Sequence, residues 1–289
     1  MTQLGSIEAG GTKFIVARGD EQGHIKEIQR IKTTDPGKTI SECVLFFQKH
    51  PVAALSIGSF GPLDLDKQSE TYGHIMNTPK KGWKNCNLLG RVQSSLHIPL
   101  FLTTDVNASA YGEYAHGIAK SDHSVLYFTF GTGIGGGAVQ DGHFIGGMGH
   151  PEMGHSLIVP RSDDDFPGIC PYHGNHCFEG MASGPAIQRR TGIPGENLPP
   201  NDPVFDLIAF YAAQLAYTAY VHLIPKHIVF GGSVINPTRL LVIRSYFSRL
   251  NNGYLGIKNL NDLIQLTSFK NNLAATVGNL ALANQLLLN

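Results

Sequence analysis

The sequence predicts an α/β protein of two related lobes that carries a metal-binding loop. β-rich and helical runs alternate along the 289 residues. Two hairpin patterns with Gly/Thr tips, at 4–18 and 125–139, each open one half of the chain. Between His150 and Ala186 a polar segment gathers two Cys, most of the nearby His and the isolated Glu152 and Glu179.

LGSIEAGGTKFIVAR, residues 4–18, reads as a strand, a Gly-Gly turn and a second strand, with its polar tip at Gly10, Gly11, Thr12 and Lys13. Uncrowded backbone N–H groups, a hydroxyl and an ammonium at one tip suit phosphate, and Glu8 is near enough to help hold a hydrated Mg2+. A plain hairpin turn accounts for the same residues, and the spacing is not that of a Walker loop. Residues 39–50, TISECVLFFQKH, carry an apolar helical face in which Cys43 is a core thiol. AALSIG, at 53–58, is a buried strand that ends in the break Gly61-Pro62, at a strand end of the kind that faces ligands. Trp83 either packs against its own loop or covers a sugar face.

An apolar strand at 98–103 runs directly into Asp105, and a helix follows from Asn107 to His116. An Asp at such a junction is a helix N-cap or a positioned base. VLYFTFGTGIGGGAV, at 125–139, repeats the opening hairpin with Gly131, Thr132 and Gly133 at its tip. Its G-x-G-x-x-G spacing is followed by a β-rich run instead of a helix, which excludes a dinucleotide site. Two such tips in equivalent places suggest a nucleotide held between two related lobes.

Helices are expected from Ser183-Gly184-Pro185 onward and at 204–224, 237–250 and 272–288, with strands at 227–230 and in LIQLTSF. Gly231 and Gly232, at the end of a strand, make a turn free of side chains where an adenosine can lie, or a tight βα turn. The expected lobes are 1–117 and 118–271, with the helix at 272–289 packing back on the first.

Cys170, His173 and Cys177 stand as C-x2-H-x3-C, and His155 lies upstream in E-x-x-H, a donor set for tetrahedral Zn2+. His176 is an alternative to His173, and His150 to His155. Glu152 and Glu179 lie just outside this set, aimed at a polyhydroxylated ligand or serving as surface charge. Gly, Pro and Asp dominate 160–175, which leaves little apolar surface to order the loop without a metal.

Lys plus Arg and Asp plus Glu both number 22, so no basic field draws nucleic acid or an anionic membrane. Four Cys are too few for a disulfide scaffold. No apolar run approaches about 20 residues and no signal-peptide pattern opens the chain, so a cytoplasmic protein is expected.

In their order, GGTK, D-x-N-A, FGTGIGGG, E-x-G-H, the Cys/His cluster and FEGMASGPA resemble the ROK family of sugar kinases and repressors from Gly10 to Gly232. CPYH and EGMASGPA are most similar to its bacterial fructokinases. The resemblance implies a sugar kinase/actin-like (ribonuclease H-like) fold, with ATP and a hexose in the cleft, and a homodimer. It makes Asp105 the base that takes the sugar hydroxyl proton, with Glu152, His155 and Glu179 on the sugar hydroxyls. His155, Cys170, His173 and Cys177 hold zinc; Gly10, Gly11, Thr12, Lys13, Gly131, Thr132 and Gly133 form the phosphate tips; Gly231 and Gly232 face the adenosine.

Three departures accompany the resemblance. Thr104 stands where many ROK glucokinases have Asn, which favours fructose over glucose. Glu8 stands where many relatives have Asp. The cluster has one more residue between His173 and Cys177 than the subgroup's pattern, which keeps His173 and His176 both open. The expected activity is ATP-dependent formation of fructose 6-phosphate, with glucose, mannose or N-acetylmannosamine as the rival substrates. A repressor would carry a helix-turn-helix domain for which the first dozen residues leave no room, and Asp105 argues against a silent sugar-binding protein.

Overall fold

Strands covered on both faces are buried along nearly their whole length, and LGSIEA and ALSIGS are such strands. β1 (Leu4–Ala9), β2 (Lys13–Gly19) and β3 (Ile25–Lys32) form an antiparallel meander. α1 (Pro36–Lys49) then leads to β4 (Ala54–Ser59), which runs parallel to β1. A short pair, β5 (His74–Ile75) and β6 (Cys86–Asn87), precedes α2 (Leu88–Leu96). β7 (Leu100–Thr104) lies parallel to β4, and α3 (Asp105–His116) follows it without a break. The sheet order is β3-β2-β1-β4-β7. The hairpin, helices and strands expected up to residue 116 are all present. β3 was not expected, because Ile25, Ile28 and Ile31 recur every third residue and only Ile31 is buried.

The second sheet, β10-β9-β8-β11-β12, repeats this plan: a meander followed by parallel strands. It consists of β8 (Ser124–Phe130), β9 (Ile134–Gln140), β10 (His143–Phe144), β11 (His227–Gly231) and β12 (Ile264–Leu266). Its helices are α4 (Phe178–Ala182), α5 (Gly184–Thr191), α6 (Val204–Leu223), α7 (Pro237–Asn251) and α8 (Leu260–Leu263). Tyr217 and Tyr220 of α6 meet Phe247 of α7 edge-on, at 5.6 Å between centroids in each case. At 20 residues α6 is long and apolar enough, by length and composition, to cross a membrane, which corrects the expectation that no run approaches that length. Its apolar window is 61% buried, with Tyr211 and Leu215 in the protein core.

This computed structural model describes residues 1–147 and 149–288. They form two compact units, Met1–His123 with Gly137–Pro151 and Ser268–Asn289, and Ser124–Gly136 with Glu152–Thr267. Residues 137–151, expected in the second lobe, join the first unit, where Phe144 packs on Phe101 at 6.3 Å and on Tyr111 at 5.7 Å.

One face of the first sheet is covered by α1 and α2, whose Ile40, Phe47 and Val92 join Ile7, Phe14 and Ile57 in one apolar cluster. Trp83 belongs to it, fully buried between Phe14 and Phe60, and its indole N–H donates to the Thr34 carbonyl at 2.8 Å. Its place is therefore the core and not a sugar face. Cys43 is likewise a core thiol, pushed up to about 12 by burial.

The other face is covered by the C-terminal helix, Ala274–Leu288, through Leu280 and Ala283 against Leu4 and Ala54. The fully buried Asn279 donates to the Ile7 carbonyl and accepts from the Ser56 hydroxyl, each at 3.0 Å, so its polar groups are answered inside the core. The same helix meets α3 backbone to backbone. A Cβ on Gly278 would overlap the Ala108 carbonyl, and one on Gly112 would overlap the Ala274 carbonyl. We expect Gly278→Ala to cost at least about 2 kcal/mol of stability in urea unfolding, since neither backbone has a flexible side chain to yield.

Candidate active site

In the first unit the β1–β2 turn leaves Gly11, Thr12 and Lys13 exposed. It is closed by Gly10 N–H donating to the Lys13 carbonyl at 3.0 Å. Behind it the Thr33 hydroxyl donates to the Gly10 carbonyl at 2.8 Å, and Thr33 N–H to the Thr12 carbonyl at 3.0 Å. The missed strand β3 thus leads into the support of this tip.

Strand alternation places Leu4, Ser6 and Glu8 on the face of the C-terminal helix, whose Thr276 hydroxyl donates to Glu8 Oε2 at 3.2 Å. Burial, and then the nearby charge of Asp105, push the Glu8 carboxyl up to about 7, against the pull of Thr276, Lys13 and Arg30. A carboxylate held at that cost beside a second one suits a cation. The N-cap of α3 is Thr104, whose hydroxyl accepts the Asn107 N–H at 3.2 Å. Asp105 is therefore not the cap. Its Oδ1 accepts the Val106 N–H at 2.9 Å, and the Thr104 that departs from the glucokinase pattern has a local structural duty.

His150 does not join the metal donors. Its Nε2 accepts the Leu63 N–H at 3.0 Å, just past the cis Gly61-Pro62 bond, and burial lowers its pKa below the ordinary histidine value.

In the second unit the parallel pairing of β8 and β11 brings the Gly131–Gly133 tip and the Gly231-Gly232 turn to the same sheet edge, the strands' C-terminal ends. Gly131 N–H donates to the Gly133 carbonyl at 3.0 Å, and Gly184 N–H, in the first turn of α5, to the Gly131 carbonyl at 2.8 Å. Gly232 has φ +86° and lies so close to the Phe130 backbone that a side chain would collide with it.

Beside this edge, ligand atoms of His155, Cys170, His173 and Cys177 all lie within 4.8 Å of one another. Cys170 Sγ is 3.8 Å from His155 Nδ1 and 3.5 Å from His173 Nδ1. A tetrahedral Zn2+ with ordinary Zn–S and Zn–N bonds requires S···N edges of about 3.6 Å, which these two edges match. His173, and not His176, is the histidine brought to the cluster. Burial first, then Cys170, push the Cys177 thiol up to about 12, so a thiolate there requires a cation.

Glu179, on α4, accepts the Ile134 N–H at 3.0 Å through Oε2, while Oε1 lies 3.7 Å from His155 Nε2. Glu152 is exposed, yet partial burial of its carboxyl and the Glu179 charge raise its pKa against the pull of His155. The three polar side chains expected on a sugar thus share one neighbourhood.

The loop at 160–175 is better anchored than its composition suggested. Asp164, 3% exposed in its side chain, takes a two-pronged contact from Arg190 at 2.7 and 2.8 Å and a third bond from the Tyr211 hydroxyl. These outweigh the effect of burial and hold its pKa below the usual range. Arg190 also lies over the Phe166 ring at 4.0 Å. Partners this far apart in sequence carry no local signature, whereas the acidic run around Asp164 alone reads as solvated charge.

The ROK family model matches residues 4–286. The chain belongs to the ROK family. It is 47% identical to a fructokinase of Lactococcus lactis subsp. cremoris over 98% of this chain and 97% of that protein. It is equally 47% identical to a fructokinase of Streptococcus mutans, again over 98% and 97%. A ROK hexokinase structure from Thermus thermophilus covers 99% of both chains with a TM-score of 0.80 at 21% identity, a likeness of fold. This is the two-sheet α/β sugar-kinase fold that the motif order implied.

Because Glu8 keeps its proton to about pH 7 in the folded state and only to about 4.5 when unfolded, stability is lost as pH rises between these values. In a chelator, Glu8→Gln should be up to about 3 kcal/mol more stable than the parent at pH 8 and no more stable near pH 4.5, read by urea unfolding.

Proposed function

We propose that the chain transfers the γ-phosphoryl group of ATP to D-fructose, giving fructose 6-phosphate and ADP. The observation that carries this reading is the near-full-length kinship with fructokinases, in a chain that also gathers Glu152, His155 and Glu179 beside a four-donor metal cluster. Asp105 takes the proton as the 6-hydroxyl oxygen bonds to the γ-phosphorus, and the bond to the β-phosphate oxygen breaks as ADP leaves. Such a transfer needs positioning and charge neutralisation more than covalent help from the protein.

Glu152, His155 and Glu179 hold sugar hydroxyls. In this reading the tips Gly10–Lys13 and Gly131–Gly133 bind phosphate through backbone N–H groups, Thr12, Thr132 and the Lys13 ammonium, and Gly231 and Gly232 take the adenosine. Glu8 helps hold Mg2+, which supplies neutralisation of the phosphate charge when bound. His155, Cys170, His173 and Cys177 hold Zn2+ as a closed structural site that fixes the loop and the His155 ring. A cytoplasmic homodimer accords with the family resemblance, and light scattering should return twice the 31.3 kDa chain mass.

The deciding experiment is ADP release with Mg-ATP against fructose, glucose, mannose and N-acetylmannosamine. Fructose should give the highest kcat/KM, and a higher value for another sugar would replace the substrate while leaving the chemistry. Asp105→Ala should lower kcat by a factor of about 100 or more, and full activity in that variant would remove Asp105 from the mechanism. Freshly purified protein should carry about one zinc per chain, with chelation lowering both melting temperature and fructose affinity. Less than about a tenth of an equivalent would refute the zinc site.

A further inference from the structure

The carboxylate of Glu179 has two oxygens with two different neighbours. Oε1 faces Nε2 of His155, whose other ring nitrogen, Nδ1, lies 3.8 Å from the Cys170 sulfur of the metal-capable cluster. Oε2 accepts the backbone N–H of Ile134 at 3.0 Å, the first residue of β9 after the Gly131–Gly133 turn. The fit at the tip is close, because a Cβ on Gly133 would stand 2.6 Å from the same Oε2. Ile134 is held from its other end as well: Gly154, inside the E-x-x-H segment, lies so near the Ile134 carbonyl that any side chain there would overlap it. The tip's remaining carbonyl contact, Gly131 to Gly184 N–H, comes from the helix that follows α4.

We propose that Glu179 is a positioning residue for nucleotide, bracing the Gly131–Gly133 turn through the Ile134 amide, in addition to its part at the sugar. The assignment rests on the reading of this turn as a phosphate tip. A backbone N–H with one acceptor loses its hydrogen bond when that acceptor is shortened, and a turn made of Gly-Thr-Gly has no side-chain packing to keep its shape. Glu179 thus joins the metal-held segment to the nucleotide side of the same unit, so that loss of the carboxylate is felt by ATP and not only by sugar.

The test is Mg-ADP affinity by calorimetry without sugar, together with hydrogen exchange of the Ile134 amide, on the zinc-loaded full chain. Glu179→Asp keeps the charge but falls short by a methylene, and Glu179→Ala removes the acceptor. Both should weaken Mg-ADP binding about five- to tenfold and speed Ile134 exchange by a similar factor. Glu179→Gln, whose amide oxygen can accept the same N–H, should stay within about threefold of the parent in both readouts. Unchanged Mg-ADP affinity in the Asp and Ala variants overturns the assignment, as does a Gln variant as weak as Ala. If the parent chain itself binds no Mg-ADP, the kinase reading fails separately, and unchanged Ile134 exchange in the Asp and Ala variants then overturns the brace.

Discussion

The backbone-to-backbone crossing of α3 and the C-terminal helix is the contact on which the first unit depends. Asp105 begins α3, so its position is set by how deeply that helix sits, and Gly112 and Gly278 set the depth by having no side chain. The same C-terminal helix supplies Asn279 to the carbonyl of Ile7 and the hydroxyl of Ser56, and Thr276 to Glu8. One helix therefore covers the sheet, answers its buried polar groups and touches Glu8, the carboxylate nearest the β1–β2 turn. A steric constraint, more than an attraction, fixes the geometry of these two acids.

In the second unit the corresponding problem is a polar loop that must present side chains at defined places. It is solved twice. Near residue 164 a buried Asp–Arg pair with a tyrosine hydroxyl anchors the loop without any metal. Near residues 170–177 the ligand atoms of four metal-capable side chains come within 4.8 Å of one another. A buried ion pair of this kind costs desolvation, but here both partners take further hydrogen bonds, Asp164 from Tyr211 and Arg190 to the Met181 carbonyl, and its effect is to choose one loop conformation.

Most of the fold was legible because its strands are short, largely apolar runs and its hairpin tips are spelled by Gly and Thr in LGSIEAGGTKFIVAR and VLYFTFGTGIGGGAV. β3 was not, since an exposed edge strand with Ile at every third position matches neither the strand nor the helix period. α4 was too short to show a period at all. At the candidate site the residue types of the metal cluster were readable from spacing, but the choice of His173 over His176 needed the turn that points one ring inward and the other away. Taken alone, Asp105 read more readily as a cap than as a base, because capping is decided by which of two adjacent residues has extended backbone, and that residue is Thr104. The engagement of His150 with Leu63 and of Glu179 with Ile134 joins residues 87 and 45 positions apart, distances over which no local pattern speaks.

The place of the C-terminal helix also bears on how the protein is born. Its partners in the sheet, β1 and β4, are made first, while the helix that covers their second face is translated after the whole of the second unit. At ribosomal speed the interval is on the order of ten to forty seconds. Throughout it Leu4 and Ala54, both fully buried in the finished protein, have no native cover. The second unit, whose residues 152–267 are contiguous, can close its core in that time. The face of the first sheet that carries Leu4 and Ala54 is thus completed only when the last residues of the chain have been made.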